Sequence, residues 1–446
     1  MEKYCLALVV MSFVVAAVYG QDTQGFISID CGNTNSFVDD ATKLTYTSDD
    51  QYIDTGVNAN IASNYKSTIS LVTLFSLRSF PSGDRNCYNL KPVVRNITYL
   101  IRVGFFHGNY DSHFSQQSKK PILFDLYIGI SKWKTVNITD AGYIFMYEAV
   151  TVALGEVLYV CLVNTGQGTP FISFLETRQM KSPLYPYVTA TQFGDLYGRG
   201  DVGGSKYTRY PSDKYDRIWY PLMIDEWTNI STPQRVNSDL GESLSELPST
   251  VLQTAVIPSK SAPNSSNIYF NWTQQDGLIP PIGFNLYFAE VKQLPMGGKR
   301  EFDIYYNGKL LYQQVNPKYL MANTIYTAKP QNMPIDLNRY SITLNATSNS
   351  TEPALLNALE IYSILPVDTK MVDPADNDVM LTIKAAYKLN KGWTGDPCAP
   401  AKYPWVGVGC DYNGNYSKII ALNLSNSGLT GSVSPSLSKL QNLKIL

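Results

Sequence analysis

Short apolar runs that alternate with polar residues dominate the chain from residue 26 to residue 365. The runs are rich in Val, Ile, Tyr and Phe, and Gly, Pro, Asn and Asp separate them. Examples are YLIRVGFF (99–106), ILFDLYIGI (122–130), EVLYVCLV (156–163) and FNLYFAEV (284–291). Short alternating runs between turn residues are typical of β-sandwiches. The pattern therefore predicts a mainly β fold over this region.

The same sequence elements occur twice in the same order. LIRVGFF, FDLYIG and FLE in the first half correspond to NLYFAEV, FDIYYNG and ALE in the second, at offsets of 185 (Gly104 to Ala289), 178 (Asp125 to Asp303) and 184 (Glu176 to Glu360). We therefore predict two tandem sandwiches, sandwich A (26–197) and sandwich B (198–366). The join is predicted to be a Gly-, Pro- and charge-rich hinge at about 198–215.

A helical pattern replaces the alternation after Pro366. Val379 and Ile383 lie on one helical face, Asp376 suits an N-cap and Gly392 suits a C-terminal stop. These signals predict a linker helix over 373–392.

The last residues carry a cysteine-containing segment and a repeat. Cys398 and Cys410 lie in a predicted cap at 393–418. IIAL (419–422) then matches LKIL (443–446) at an offset of 24 residues, within the period of leucine-rich repeats. Because about three such repeats are needed to bury a continuous core, residues 419–446 are interpreted as one repeat and the start of a second, cut from a longer protein.

Charge and the N-terminus limit the classes of protein. Lys and Arg number 36 and Asp and Glu number 37, giving a net charge of −1, so a nucleic-acid partner is not expected. Lys3, an apolar run at 6–18 and small residues before Gln21 predict a secretory signal peptide at 1–20. That run is too short for a stable span, and no later segment reaches about 18 apolar residues. We therefore expect an exported, soluble mature chain.

Nine Asn-x-Ser/Thr sequons support export, because N-glycosylation requires an accessible asparagine in the secretory lumen. They lie at Asn96, Asn137, Asn229, Asn264, Asn271, Asn345, Asn349, Asn415 and Asn423.

The cysteines predict disulfides. Cys5 leaves with the signal peptide, so five cysteines remain and at least one is unpaired within the monomer. Cys398 and Cys410 flank a short loop, and bridging them would stabilise the fold by about 3 kcal/mol in the loop-entropy picture.

The other three cysteines leave a pairing by elimination. Cys161 lies in the apolar run LYVCLV and is most simply a buried free thiol. Cys31 and Cys87 are then the pair left over.

Catalytic motifs are not found. GRGDVG (198–203) matches G-x-G-x-x-G, but a phosphate loop needs a strand before it and a helix opening after it, and SKYTRYPSD follows instead. The Arg-Gly-Asp tripeptide at 199–201 is a short, chance-level match. A kinase would need V-A-I-K, H-R-D and D-F-G motifs, and a glycosidase would need two carboxylates facing each other across a cleft. We expect neither activity, and no cofactor.

One loop has the composition of a carbohydrate site. Sugars bind to aromatic rings beside polar groups, and Phe106, His107, Tyr110 and Asp111 occur together after an apolar strand. We predict these four residues as ligand-binding. A metal site is not expected, because the spacing of His107 and His113 is not a recognised ligand spacing.

Many separate motifs carry a family resemblance. GFISIDCG, YIDTG, RNCYNL, FDLYIG, CLVNTGQGTPFISFLE and RYPSDKYDRIW, in this order, resemble the malectin-like ectodomain of plant leucine-rich-repeat receptor-like kinases. WTGDPC (393–398) and WVGVGC (405–410) are similar to the cap between that ectodomain and the repeats. The resemblance covers essentially the whole mature chain.

The resemblance implies the extracellular sensing portion of a receptor at the plasma membrane, binding a cell-wall carbohydrate or a peptide, with a possible co-receptor. In such receptors a transmembrane helix and a kinase follow the repeats, so the membrane would be reached only through a span beyond these residues. The aromatic pair of the animal lectin's site falls here on 107–108 and 292–293, so that site is not carried over recognisably. Alternatives are a secreted soluble protein that shares or sequesters the ligand and, less favoured, a carbohydrate-active enzyme.

Overall fold

A computed structural model describes residues 23–114, 120–181, 184–238, 246–259, 266–273, 280–327, 329–332, 339–389 and 392–446. Strands predominate in these residues, as the alternating pattern predicts, and the mainly β fold is confirmed. The predicted signal peptide at 1–20 lies outside the described residues.

The first half of the chain forms thirteen strands in the described residues. They are β1 (Ile27–Asp30), β2 (Phe37–Val38), β3 (Thr45–Ser48), β4 (Val57–Asn60), β5 (Ser76–Ser79), β6 (Arg85–Leu90), β7 (Thr98–Phe106), β8 (Ile122–Ile128), β9 (Ser131–Ile138), β10 (Ile144–Val152), β11 (Leu158–Gln167), β12 (Phe171–Ile172) and β13 (Phe174–Met180). A short helix, α1 (Ser63–Lys66), and a 3₁₀ turn (Val72–Leu74) lie between β4 and β5.

The second half repeats the strand pattern. Its strands are β14 (Gln192–Val202), β15 (Tyr220–Leu222), β16 (Trp227–Ser231), β17 (Thr254–Pro258), β18 (Ile268–Trp272), β19 (Ile282–Phe288), β20 (Phe302–Tyr306), β21 (Lys309–Val315), β22 (Asn323–Tyr326), β23 (Tyr340–Ala346) and β24 (Ala358–Pro366), and helix α2 spans Ser249–Leu252.

Sheet order shows the duplication directly. One four-stranded sheet has the order β6-β11-β8-β9 and another the order β18-β23-β20-β21. An 11-stranded sheet contains the run β1-β13-β7-β10 followed by β14-β24-β19-β22, and β12-β5-β4 and β16-β17 form smaller sheets. Each sandwich therefore contributes four equivalent strands to one sheet, and the β10–β14 pair joins the two.

The register of these strands corrects one sequence offset. Aligning Glu176 with Glu360 places Arg102 and Asn285 opposite them, which is an offset of 183 residues between β7 and β19. The predicted offset of 185 for these strands is wrong by two residues. A shift of two leaves the inward and outward alternation of a strand unchanged, so the sequence pattern alone does not distinguish the two registers.

The predicted hinge at 198–215 begins inside a strand. Residues 198–202 belong to β14; 198–201 pair with β24 on one side, and 200–202 pair with β15 on the other. A Cβ at Gly200 would lie 3.2 Å from Leu222, so this glycine admits a neighbouring strand rather than supplying flexibility. The hinge is therefore wrong for 198–202, and the boundary predicted at 197/198 cuts through a strand.

The linker helix is shorter than predicted. Helix α3 spans Pro374–Ala386, within the predicted 373–392. Its N-cap is Asp373, whose side chain accepts from the Ala375 backbone N–H, so the prediction of Asp376 is wrong. Asp376 instead lies in the first turn and accepts from the Ile419 N–H. Gly392 lies beyond the end of the helix and does not terminate it.

The cap and the final residues pack on α3. Strands β25 (Val408–Asp411) and β26 (Lys418–Leu422) pair antiparallel, and a 3₁₀ turn (Pro435–Lys439) follows. Ala421 and Ile445 form a parallel bridge, in the register that the 24-residue offset predicts.

The disulfides confirm one predicted pair and correct the other. Cys398 is bonded to Cys410, as predicted. Cys87 is bonded to Cys161, and Cys31 is the buried free thiol. The prediction of a Cys31–Cys87 bond with Cys161 free is wrong, because the register of β6 and β11 places Cys87 directly opposite Cys161.

The cap is fastened to sandwich A next to this disulfide. The Arg85 guanidinium donates to the carbonyls of Thr394, Asp396 and Ala399. The Thr394 hydroxyl donates to the Arg85 carbonyl and accepts from the Cys87 N–H, at 3.2 Å each. The WTGDPC motif therefore serves as the contact between the cap and β6.

Candidate functional site

The structure buries two of the four predicted site residues. Phe106 ends β7 and His107 follows it, and both side chains are fully buried. Their prediction as ligand-contacting residues is therefore wrong. Phe106 packs edge-on to Tyr65 at 6.2 Å between ring centroids. Tyr110 is half-buried and Asp111 is exposed, so these two remain available to a ligand.

Three loops meet around Gly108 and form what we call the loop platform (residues 61–65, 107–114 and 139–143). The Gly108 carbonyl accepts from the Ala62 N–H at 2.9 Å, and its N–H donates to the Ala141 carbonyl at 2.8 Å. Gly108 has φ +49°, and a Cβ there would lie 2.4 Å from Ile61. Only glycine therefore suits this crossing point, which fixes the three loops to one another.

The outer surface of the loop platform carries aromatic and carboxylate groups. Tyr143 is 62% exposed, and its ring lies 4.9 Å from that of Phe145. Asp140 and Asp111 accept backbone N–H groups of their own turns, at 2.8 and 2.9 Å, which fixes both carboxylates. Tyr143 is a further candidate that sequence reasoning missed; an aromatic residue directly after the turn residues TDAG (139–142) was the available signal.

His107 forms the buried base of the platform. Its ring lies 4.8 Å from those of Tyr110 and Phe114, and 5.2 Å from that of Phe171 on β12. Burial lowers the pKa of His107 to about 4; Asp111 opposes this shift, and His113 adds to it. The imidazole is therefore neutral at pH 7.

A row of buried charged side chains runs from sandwich A to sandwich B along the strands of the shared 11-stranded sheet. We call it the charge row: Glu176 (β13), Arg102 (β7), Glu148 (β10), Arg199 (β14) and Glu360 (β24), each in an ion pair with the next. Burial would raise the pKa of Glu360, but Arg199 and Arg217 lower it to about 2. The row holds the two sandwiches together through alternating charge.

The motif RYPSDKYDRIW covers this row, and we call residues 208–219 the clasp. Asp216 accepts from Arg178 at 2.9 Å and from the Arg209 Nε at 2.8 Å. Burial would raise the pKa of Asp216, but Arg178, Arg209 and Arg102 hold it below its ordinary range. Asp213 accepts from Arg217 and from the Trp219 indole at 2.8 Å each. The Trp219 ring in turn packs edge-on against Tyr287 of β19, at 5.8 Å between ring centroids, so the clasp contacts both sandwiches.

The GRGDVG motif (198–203) and the Arg-Gly-Asp tripeptide within it (199–201) have structural roles. Arg199 and Asp201 are buried, Arg199 in the charge row and Asp201 accepting from the Thr254 hydroxyl at 2.7 Å. The Arg-Gly-Asp tripeptide is therefore not accessible to a partner. The strand continues to Val202 with no helix opening after the glycines, so GRGDVG does not have the geometry of a phosphate loop.

Most sequon asparagines are accessible. Asn345 is half-buried, and Asn264 lies outside the described residues. The exposed ones are Asn96, Asn137, Asn229, Asn271, Asn349, Asn415 and Asn423.

Metal ligation and membrane crossing can be assessed for the described residues. Within them, three or more His, Cys, Asp or Glu side chains do not converge as metal ligands would. The helices of the same residues are too short or too polar to cross a bilayer.

Residues 29–364 match the family model of the malectin-like domain. With the duplicated sandwiches and the shared sheet described above, this match identifies the class of protein. The chain belongs to the malectin-like domain family.

Curated relatives are leucine-rich-repeat receptor-like kinases. The LRR receptor-like serine/threonine-protein kinase IOS1 of Arabidopsis thaliana is 38% identical over 454 residues, which cover 99% of this chain and 48% of that protein. The chain thus spans about half the length of the curated relatives it matches.

Solved structures share the fold. The ANX2 ectodomain of Arabidopsis thaliana is 17% identical, with a TM-score of 0.63 over 76% of this chain and 97% of that one. A chain from the complex of the plant peptide RALF23 with FER and LLG2 is 16% identical, with a TM-score of 0.62 over 77% and 96%. At these identities the likeness shows the fold alone.

Proposed function

We propose that the chain is the extracellular, ligand-sensing part of a plant receptor kinase, and that its loop platform binds the ligand. The ligand is a cell-wall oligosaccharide or a peptide, and a co-receptor protein can join the complex. The relatives that match this chain over nearly its full length are receptor kinases. A structural neighbour is described in complex with a peptide and a second protein, which motivates the peptide and co-receptor alternatives.

The observation that carries this proposal is the exposed surface of the loop platform. Tyr143, Tyr110 and Asp111 lie on loops that Gly108 hydrogen-bonds together. An aromatic face beside fixed carboxylates can stack on a sugar ring or a peptide side chain and accept its hydroxyl or amide donors. Because backbone hydrogen bonds of Gly108 hold the three loops together, little ordering entropy opposes binding there.

A binding experiment tests the proposal. The secreted chain is screened against wall oligosaccharides and against extracellular peptides, and hits are titrated by calorimetry with Tyr143→Ala and Asp111→Asn. We expect each variant to weaken binding about tenfold, equivalent to about 1.4 kcal/mol.

Tyr416→Ala is the matched control, because Tyr416 is 46% exposed but lies near the cap. Its affinity should equal that of the wild type. Unchanged affinity in both platform variants would overturn the platform as the site, and a hit only among peptides or only among sugars would decide the ligand class.

A further inference from the structure

His107 is buried in an unsatisfied state. Its side chain is fully buried, yet neither ring nitrogen has a hydrogen-bond partner. Leaving a buried polar group unpaired costs about 1–3 kcal/mol. The packed loop platform therefore holds this side chain in an unfavourable environment, and opening the loop to water relieves it.

The groups around His107 offer a proton little compensation. The Asp111 Oδ1 lies 3.4 Å from the His107 Nε2, longer than a good N–H···O hydrogen bond, and Asp111 is on the solvent side. His113, 6.2 Å away between ring centroids, opposes a second positive charge. Tyr110 on the same loop offers no negative charge, because burial raises its pKa further above neutral pH, and β12 faces the ring with the apolar Phe171.

We infer that His107 makes the loop platform acid-sensitive: a proton taken up by its imidazole releases residues 107–114 from the end of sandwich A. Gly108 hydrogen-bonds to both other loops of the platform, so the release separates all three. The consequence for ligand binding rests on the function proposed above, but the release itself does not.

The direction of the pH effect on loop stability follows from the pKa of His107 in the open and in the packed loop. In the open loop His107 regains its ordinary pKa of 6.5, whereas in the packed loop burial lowers the pKa to about 4. The packed state therefore loses stability as the pH falls through 6.5, and the loss is complete below about 4. Between pH 7.5 and pH 5.0 the opening equilibrium of the loop should rise about 30-fold.

Two measurements on the ligand-free chain test the inference. The chain has two histidines, so histidine-selective ¹³C labelling gives two NMR signals, which His113→Gln assigns. The His107 signal should not titrate near pH 6.5 while the loop is packed. Amide exchange of residues 108–114, corrected for intrinsic rates, should be about 30-fold less protected at pH 5.0 than at pH 7.5.

Two variants separate a switch from general acid damage. His107→Phe should abolish the pH dependence of exchange, and His113→Gln should keep it. A His107 signal that titrates normally, or the same acid-induced exchange in His107→Phe, would overturn the inference. Because neither readout uses a ligand, a failure to find a ligand for the platform leaves this test intact.

Discussion

The two sandwiches place different side chains at the same position of the repeat. His107 and Glu290 each lie five residues after the strand position that faces an equivalent glutamate, Glu176 or Glu360. Glu290 is buried in an ion pair with Arg300, at 2.7 Å between Oε2 and Nε, whereas His107 is buried with no hydrogen-bond partner. The same backbone position thus carries an ion-paired glutamate in sandwich B and a titratable histidine without a hydrogen-bond partner in sandwich A.

This difference indicates which part of the molecule responds to a change of pH. In the frame that the sandwiches share, the charge row and the clasp, acidic and basic side chains are ion-paired with one another. Burial would raise the pKa values of Glu176, Asp216 and Glu360, but neighbouring arginines hold all three below their ordinary range. A change of pH therefore acts on the loop end of sandwich A before it acts on the frame or on the equivalent end of sandwich B.

Breaking the shared frame should have the largest effect. Asp216→Asn leaves the buried Arg178 and the half-buried Arg209 with too little negative charge, and removing one partner of a buried ion pair costs about 3–5 kcal/mol. Urea unfolding followed by tryptophan fluorescence should move to lower denaturant for both sandwiches together. Asp225→Asn, at an exposed carboxylate, is the control. A loss below about 1 kcal/mol would show that the clasp does not hold the junction.

Removing the Glu290–Arg300 ion pair of sandwich B should cause the second-largest loss of stability. Glu290→Gln leaves the Arg300 guanidinium buried beside a neutral amide, and we expect a loss of about 2–3 kcal/mol. Thermal unfolding measures it, with the exposed Glu226→Gln as control. An unchanged midpoint would mean that the ion pair distinguishes the two sandwiches in geometry but not in stability.

Gly108 of the loop platform should matter more than Gly297, a glycine in the corresponding loop of sandwich B. Gly108→Ala adds a Cβ that would lie 2.4 Å from Ile61 at φ +49°, and strain plus overpacking should cost about 2 kcal/mol. Gly297, in the equivalent loop of sandwich B, has φ +78° and open space around it, so Gly297→Ala should cost only about 1 kcal/mol. Equal losses of stability in the two variants would show that positive-φ backbone strain, and not the contact with Ile61, causes the loss. Chemical denaturation of the two variants measures the difference.

Replacing the unpaired imidazole should have the smallest effect. His107→Phe removes two unsatisfied nitrogens from an aromatic surrounding, so stability at pH 7.5 should change by less than about 1 kcal/mol. Differential scanning calorimetry at pH 7.5 and 5.0 should show a smaller pH effect than in the wild type. A loss above about 2 kcal/mol would indicate that the imidazole makes a stabilising contact.

Much of the frame was predictable because it follows from local periodicity. Alternating runs gave the strands, and matching runs such as FDLYIG and FDIYYNG gave the duplication, confirmed by the identical strand order of β6-β11-β8-β9 and β18-β23-β20-β21. The Cys398–Cys410 bond was predictable because its loop is short. RYPSDKYDRIW marked the family, but its role as the clasp depends on side chains from distant strands.

The errors concern long-range pairing and exposure. The Cys87–Cys161 bond depends on the register of strands 74 residues apart, which LYVCLV does not encode locally. Phe106 and His107 have the composition of a sugar site, but composition does not say which side of a loop faces water. Gly198 and Gly200 suggested flexibility, although a glycine also serves where a strand must approach closely.

The β10–β14 pair has a consequence for how the chain is made. Residues 194–195 supply the strand that closes the outer edge of β10, so sandwich A leaves the ribosome with an open sheet edge until the next sandwich begins to emerge. An unpaired edge is a template for strands of other chains. A fragment ending before residue 192 should therefore associate with copies of itself, and extending it through residue 202 alone should not suffice, because β14 needs β24 to complete its other side. We therefore expect the two sandwiches to fold as one unit rather than as two independent domains.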